Sequence, residues 1–223
     1  MKENKKYFII SGVLFVLFIL FTILVKTVDV QAIGPEGSQV GFASINAKVA
    51  SVLAYNEVCY KVSEILGYLA IVTVLVFGLF GAMQLFIKKG FSKVDKDLYV
   101  LLGLYVLVLA IYVVFEKVII NYRPVILDEG LEASYPSSHT MLAVAFVSAA
   151  VVEFSARLKK KMTRNIVVAA CVIDGIGVIL FRVLAGVHWI TDIFASILIS
   201  GACLMLFIGA FNIVISKKKE VEK

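Results

Sequence analysis

Residues 98–120 read LYVLLGLYVLVLAIYVVFEKVII, with no charged side chain before Glu116 and no proline. A helix rises about 1.5 Å per residue, so about 20 apolar residues cross the hydrocarbon core of a bilayer. Leu98–Ile120 has that length. Working outward, five further runs have the same character. They are Tyr7–Val25, Ile65–Ile87, Met141–Ser155, Ile166–Val183 and Ile190–Ser216. The composition agrees, with 61% hydrophobic residues, a mean hydropathy of +0.98 and only 17% charged residues. A soluble domain carries about 25% charged residues. These values exclude an ordinary soluble domain, a disordered chain and a nucleic-acid-binding module. We expect an all-α bundle of six transmembrane helices, a single domain over residues 1–223.

The formal net charge of +6 is explained by topology. Most of the 22 basic residues fall on alternate loops. Lys2, Lys5 and Lys6 precede the first run; Lys88, Lys89, Lys93 and Lys96 follow the second. Arg157, Lys159, Lys160, Lys161 and Arg164 follow the fourth, and Lys217, Lys218, Lys219 and Lys223 end the chain. The positive-inside rule places both termini in the cytoplasm, in keeping with an even number of spans. The first run admits a second reading as a signal peptide, since Val30-Gln31-Ala32 resembles a cleavage site. Its apolar stretch exceeds the about 7–15 residues of such a segment, so a retained anchor is expected. In the outer loop Val28–Glu64, residues Ile45, Val49, Val52 and Leu53 recur at helical spacing. They predict a short amphipathic helix, lying either at the interface or against the bundle. Cys59, Cys171 and Cys203 form no even framework and no metal-binding spacing.

Polar residues near a membrane are costly and need a reason. Here they gather on the outer side in three clusters. Asn121-Tyr122-Arg123-Pro124 follows the third run, and Tyr135-Pro136-Ser137-Ser138-His139-Thr140 opens the fourth. Arg182 through His188 to Asp192 joins the fifth to the sixth. Both histidines of the chain lie in these clusters. Arginine presents a planar donor fork suited to phosphate oxygens. Free N–H groups at the helix start after Pro136 and Ser137 suit an anion. His188 and Asp192 are four apart, on one face if the segment is helical, so the carboxylate can hold the imidazole in one tautomer. One histidine so held can attack while the other protonates a leaving group. The set describes phosphoryl transfer through a phosphohistidine, with no metal and no cofactor.

The three clusters resemble the signature motifs of the type-2 phosphatidic acid phosphatase superfamily, membrane lipid phosphatases related to vanadium haloperoxidases. That pattern is Lys-x6-Arg-Pro, then Pro-Ser-Gly-His, then Ser-Arg-x5-His-x3-Asp. The match runs from Glu116 to Asp192, about a third of the chain, and the third motif is the most specific. The resemblance implies that His188 is the nucleophile, Asp192 its orienting partner and His139 the acid for the leaving group. It implies that Arg123 and Arg182 clamp the phosphate, with Ser137 and the amide of Ser138 as further donors. Three positions depart from the pattern. The family lysine falls at Glu116, with Lys117 adjacent as a candidate substitute. The glycine before the first histidine is Ser138, and the serine before Arg182 is Phe181.

The expected activity is therefore that of a multi-pass cell-membrane lipid-phosphate phosphatase with its site on the extracytoplasmic side. Its partners are membrane lipids and a lipid phosphate, not nucleic acid. Candidate substrates are polyprenyl pyrophosphates such as the undecaprenyl carrier, phosphatidylglycerol phosphate and phosphatidate, the first being favoured. Two readings stay beside it: a lipid-binding relative with little turnover, and a lipid phosphotransferase. Mid-span Asp174 is expected to pair with a polar group on another helix if it has a role, and Glu153 to reach water at the cytoplasmic end.

Overall fold

The computed structural model describes residues 2–127 and 130–221. Lys223 of the basic C-terminus lies outside them. The described residues form helices α1 (Lys2–Thr27), α2 (Ala43–Val52), α3 (Glu57–Lys88), α4 (Lys96–Lys117) and α5 (Ser138–Leu142). After the π-helical turn Ala143–Val147 come α6 (Ser148–Arg157), α7 (Lys161–Leu184) and α8 (Ile190–Val221). Six stretches are long and apolar enough to cross a membrane: Asn4–Thr27, Glu57–Lys88, Lys96–Lys117, Ser138–Arg157, Lys161–Leu184 and Ile190–Lys218. The architecture is an all-helical bundle, and no strand occurs among the described residues.

Most boundaries shift by a few residues from the expected ones, and two of the shifts bear on the site. The second span begins at Glu57 rather than Ile65. Asn56 caps it by accepting a hydrogen bond from the Cys59 amide at 2.9 Å, and Glu57 sits favourably in the first turn. Its first two turns are polar enough to read as loop, yet they are helical. The third span stops at Lys117, so Val118–Ile120 belongs to the following loop.

Large apolar side chains face outward around the whole bundle; Phe86 (79% exposed) and Ile173 (71%) are examples. In water that would be an aggregation surface, whereas in a bilayer it is the lipid face. Inside, small residues let helices close up. A Cβ on Gly209 would stand 3.0 Å from the Phe8 ring, so α8 receives α1 there, and Ser11 Oγ donates to the Ala202 carbonyl at 2.8 Å. A Cβ on Gly177 would stand 2.9 Å from Leu66, which lets α7 lean on α3.

The short helix α2 forms as expected, but besides Ala43 the residue it buries is polar. Ile45 and Val52 are exposed, and Asn46 is buried, donating to the Gly41 carbonyl (2.8 Å) and to Thr191 Oγ1 (3.1 Å). The bond to Thr191 fastens α2 to the start of α8.

The chain ends, at Lys2 and Val221, lie at one end of the bundle, together with the α3–α4 and α6–α7 turns. Glu153, expected to reach water there, is fully buried. Arg157, one helical turn on, reaches back to it at 2.8 Å. Arg157 also pairs with Asp95 (3.2 Å) and Asp97, and Gln84 and Lys88 complete the set through Asp95. Burial opposes ionisation of Asp95, but bonds from Gln84, Arg157 and Lys88 bring it down to about 2. Asp174 is half-buried, and its Oδ1 has no hydrogen-bond partner among the described residues, so the expected pairing is not seen.

Candidate active site

All three motif clusters meet at the end of the bundle opposite the chain termini. Each is placed by local structure. Asn121, Arg123 and Tyr122 run antiparallel to Glu132–Ser134: Arg123 N donates to the Glu132 carbonyl and Ser134 N to the Asn121 carbonyl, each at 3.0 Å. Ser137 caps α5, its hydroxyl accepting from the Thr140 amide (3.5 Å) and hydroxyl (3.1 Å). Gly186 closes the turn after α7 with φ +65°. A Cβ there would stand 2.6 Å from the Leu53 carbonyl oxygen, so the position requires glycine. The same turn is held by the Asn56 amide, which donates to the Ala185 carbonyl at 3.1 Å. The start of α3 is thereby fixed against the end of α7.

His188 precedes α8. Its Nδ1 is 3.1 Å from the Ser134 carbonyl oxygen and 3.7 Å from Asp192 Oδ2. A carbonyl only accepts, so Nδ1 carries the proton and Nε2 the lone pair. Nε2 is buried and has no partner among the described residues. Burial, then the charges of Arg182, Arg123 and His139, push the imidazole well below the usual histidine range; the Ser134 carbonyl opposes them weakly. The His188 side chain is only 2% exposed.

Asp192 is therefore a more distant neighbour of His188 than the Ser134 carbonyl. Its oxygens accept from Asn121 Nδ2 and from the Trp189 amide, both at 3.0 Å. The second bond is the return half of a capping box, in which the third helical residue reaches back to the cap. Trp189 Nε1 in turn donates to the Tyr122 carbonyl at 2.7 Å. Asp192 thus ties the His188 turn, α8 and the Asn121 loop into one unit.

Arg123 Nε lies 2.8 Å from Glu132, and its Nη1 is buried without a partner among the described residues. Arg182, 1% exposed, is held by α3: Nη1 donates to Ser63 Oγ and Nη2 to Glu64 Oε1, both at 3.0 Å. Its Nε is buried and unpaired among the described residues. Nη2 is also 2.6 Å from His139 Nδ1, and His139 Nε2 is 3.1 Å from Glu64. A narrow cavity is walled by Arg123, Ser134, Ser138 and His188 together with Glu116 and Tyr112. Glu116 faces this cavity; Lys117 is exposed and is not part of its wall. The candidate substitution of Lys117 for the family lysine is thus not what the geometry brings together. Ser137 is buried beside the cavity as a cap, with its carbonyl accepting from Ser196 at 2.9 Å.

Sequence reading missed Tyr60, Ser63 and Glu64 on α3, and the partners Asn121, Glu132 and the Ser134 carbonyl. The signal for the first group was present. Tyr60, Ser63 and Glu64 share one helical face at the polar start of an apolar helix.

No curated protein matches the chain in sequence. A solved structure matches almost the whole of it: the crystal structure of a transmembrane PAP2-type phosphatidylglycerolphosphate phosphatase from Bacillus subtilis. The match has a TM-score of 0.63 at 18% identity and covers 95% of this chain and 96% of that one. At that identity the likeness is one of fold. The family model of the PAP2 superfamily matches residues 121–214, the segment that contributes both histidines, Arg123, Arg182 and Asp192. In that segment the chain is similar to the PAP2 superfamily, and over its length its fold is similar to that of a PAP2-type membrane protein.

Proposed function

We propose that the protein is a membrane lipid-phosphate phosphatase that works through a phosphorylated His188 and needs no metal. The observation that carries this is the buried Nε2 of His188, unpaired among the described residues, in a wall shared with Arg123 and Ser138. Arg123 Nη1 and Arg182 Nε are likewise buried with no partner among the described residues. A nucleophile with its lone pair free, next to unspent cationic donors, suits a phosphoryl group whose charge grows on its oxygens. Nε2 attacks phosphorus, His139 gives a proton to the departing oxygen, and water later releases phosphate from His188.

The lipid class is supported by what adjoins the cavity. Tyr112, Ser138 and Met141 wall both the polar cavity and an apolar groove between α3 and α4, with Val74, Leu109 and Phe146. Through Tyr105 that groove meets a second one, which reaches Leu98 and Phe91. From Tyr112 to Leu98 is about 21 Å along α4. A long apolar tail can lie there with its phosphate at His188. The basic end of the bundle lies opposite, so the positive-inside rule favours a site on the extracytoplasmic face. Polyprenyl pyrophosphates are our first choice, ahead of phosphatidylglycerol phosphate and phosphatidate. The preference rests on family analogy and on an outward site.

One observation favours a second reading, a lipid-binding relative with little turnover: Glu116, an anion, faces the cavity where the family carries lysine. A single assay separates the two. Detergent-purified protein with EDTA is offered the three lipids in parallel, with His188→Ala as control. Release that disappears in the variant supports the phosphatase; a folded wild-type chain that releases nothing from any of them supports the binding protein.

A further inference from the structure

The face that α3 turns toward the site is built as a unit. Tyr60, Ser63, Glu64 and Gly67 recur at helical spacing, and each meets a motif residue from another helix. The Arg182 guanidinium lies over the Tyr60 ring, 5.1 Å from its centre. Ser63 and Glu64 accept from the two terminal nitrogens of that guanidinium. Gly67 leaves room for the His139 ring, since a Cβ there would stand 2.8 Å from Cδ2. None of the four falls within residues 121–214, the stretch that the family model matches.

The arrangement specifies a tautomer. A guanidinium only donates, so His139 Nδ1, 2.6 Å from Arg182 Nη2, is the accepting nitrogen. The ring proton is then on Nε2, directed at Glu64 Oε1 3.1 Å away. We infer that Glu64 is a positioning residue for His139: it holds Nε2–H and balances the imidazolium, so that Nδ1 delivers the proton to the leaving group. The inference rests on the phosphatase reading above.

The step balances as follows. Substrate phosphate takes the N–H groups of Arg182, which frees Nδ1 to be protonated. The N–P bond to His188 forms as the P–O bond breaks, and the Nδ1 proton goes to the departing oxygen. In the second half, Nδ1 takes a proton from water as that water's oxygen attacks phosphorus and the N–P bond breaks. Throughout, Glu64 keeps Nε2–H. The charged and titratable groups facing His139 are Glu64 and Tyr60 of α3, Arg182 of α7, and Arg123 and His188 of the loops. Glu116 of α4 shares the cavity wall with Ser138, and Asp192 of α8 is engaged by Asn121 and Trp189. Glu64 is the one carboxylate of this set within an ion-pair distance of His139.

The test compares wild type, Glu64→Gln and Glu64→Asp as full chains in detergent with EDTA. Turnover of phosphatidate is followed beside that of p-nitrophenyl phosphate, whose phenolate departs without a proton. For Glu64→Gln we expect kcat on phosphatidate to fall about 100-fold, the scale of general acid catalysis. The basic limb of its pH profile should move down by about 1 pH unit or more. Turnover of p-nitrophenyl phosphate should fall less than about 10-fold, and Glu64→Asp should recover part of the lipid rate. Equal losses on both substrates with an unmoved limb would make Glu64 merely structural and overturn the inference alone, as would Gln and Asp behaving alike. If the Gln variant does not fold, the Asp variant carries the same comparison: a selective loss on phosphatidate supports the inference, and proportional losses overturn it. A wild-type chain inactive on both substrates overturns the phosphatase reading itself, and the inference with it.

Discussion

Nε2 of His188 can attack phosphorus only while it holds a lone pair, and its surroundings favour that form. Burial and the neighbouring Arg182 and Arg123 disfavour the imidazolium, so its pKa in the folded protein lies below the about 6.5 of a free histidine. The sign follows. The neutral imidazole persists at pH 6.5 and is lost only as pH falls through the lower, folded value. We therefore expect the acid limb of kcat/KM to have its midpoint below pH 6.5; a midpoint at or above 6.5 would contradict the assignment. Stability changes over the same window, decreasing as pH drops from about 6.5 towards the folded value, because the unfolded chain binds the proton first. Glu116 offers a second residue-scale prediction. It faces the cavity, so Glu116→Lys replaces a repelling charge with an attracting one. The KM for a lipid phosphate should fall at least about 5-fold at low salt, with a smaller effect at high salt. An unchanged KM would mean that the phosphate binds away from this wall.

Among the helices, α3 has the closest steric margin. Gly67→Ala would set a methyl group 2.8 Å from the His139 ring, which must then shift away from Glu64. Turnover on phosphatidate should fall by at least about 10-fold, since displacements of about 1 Å near the reacting groups are costly. Thermal stability should change much less. A large loss of stability with intact turnover would mean that the ring does not depend on this face. At the opposite end, α6 holds Glu153 fully buried with Arg157 as its partner. Arg157→Ala strands that carboxylate and should cost about 3 kcal/mol, the low end for a broken buried pair because Arg157 is itself 21% exposed. Adding Glu153→Gln should restore much of the loss in melting temperature. No recovery in the double variant would assign the stability of Arg157 to Asp95 and Asp97 instead.

At the scale of the molecule, apolar run length marked the six helices long enough to cross a membrane, and the spacing of Arg182, His188 and Asp192 marked residues that the fold gathers at one end. Both signals lie along a single stretch of chain, where periodicity and motif gaps are visible. What escaped notice joins elements distant in sequence. Glu64 stood at the edge of an apolar run and read as loop, although it meets Arg182 across 118 positions. Glu153 looked near enough to a helix end to reach water, but Arg157 covers it. Asp192 was expected to hold His188 directly; its shorter bonds go to Asn121 and the Trp189 amide, and the Ser134 carbonyl is nearer to the ring. Length and hydropathy can show that a helix crosses a membrane, whereas the rotation that turns Tyr60, Ser63 and Glu64 inward is set by packing on α7. The bundle thus brings the buried His188, Arg123 and Arg182 together at one end, away from the basic loops.

The central claim is that His188 carries the phosphoryl group. It is tested most directly by rapidly quenching the purified protein during turnover of a lipid labelled with ³²P in its terminal phosphate. The account predicts label bound to protein through an acid-labile, alkali-stable bond, present in wild type and absent in His188→Ala. Wild-type turnover without any such bond, or label that survives in His188→Ala, would contradict it.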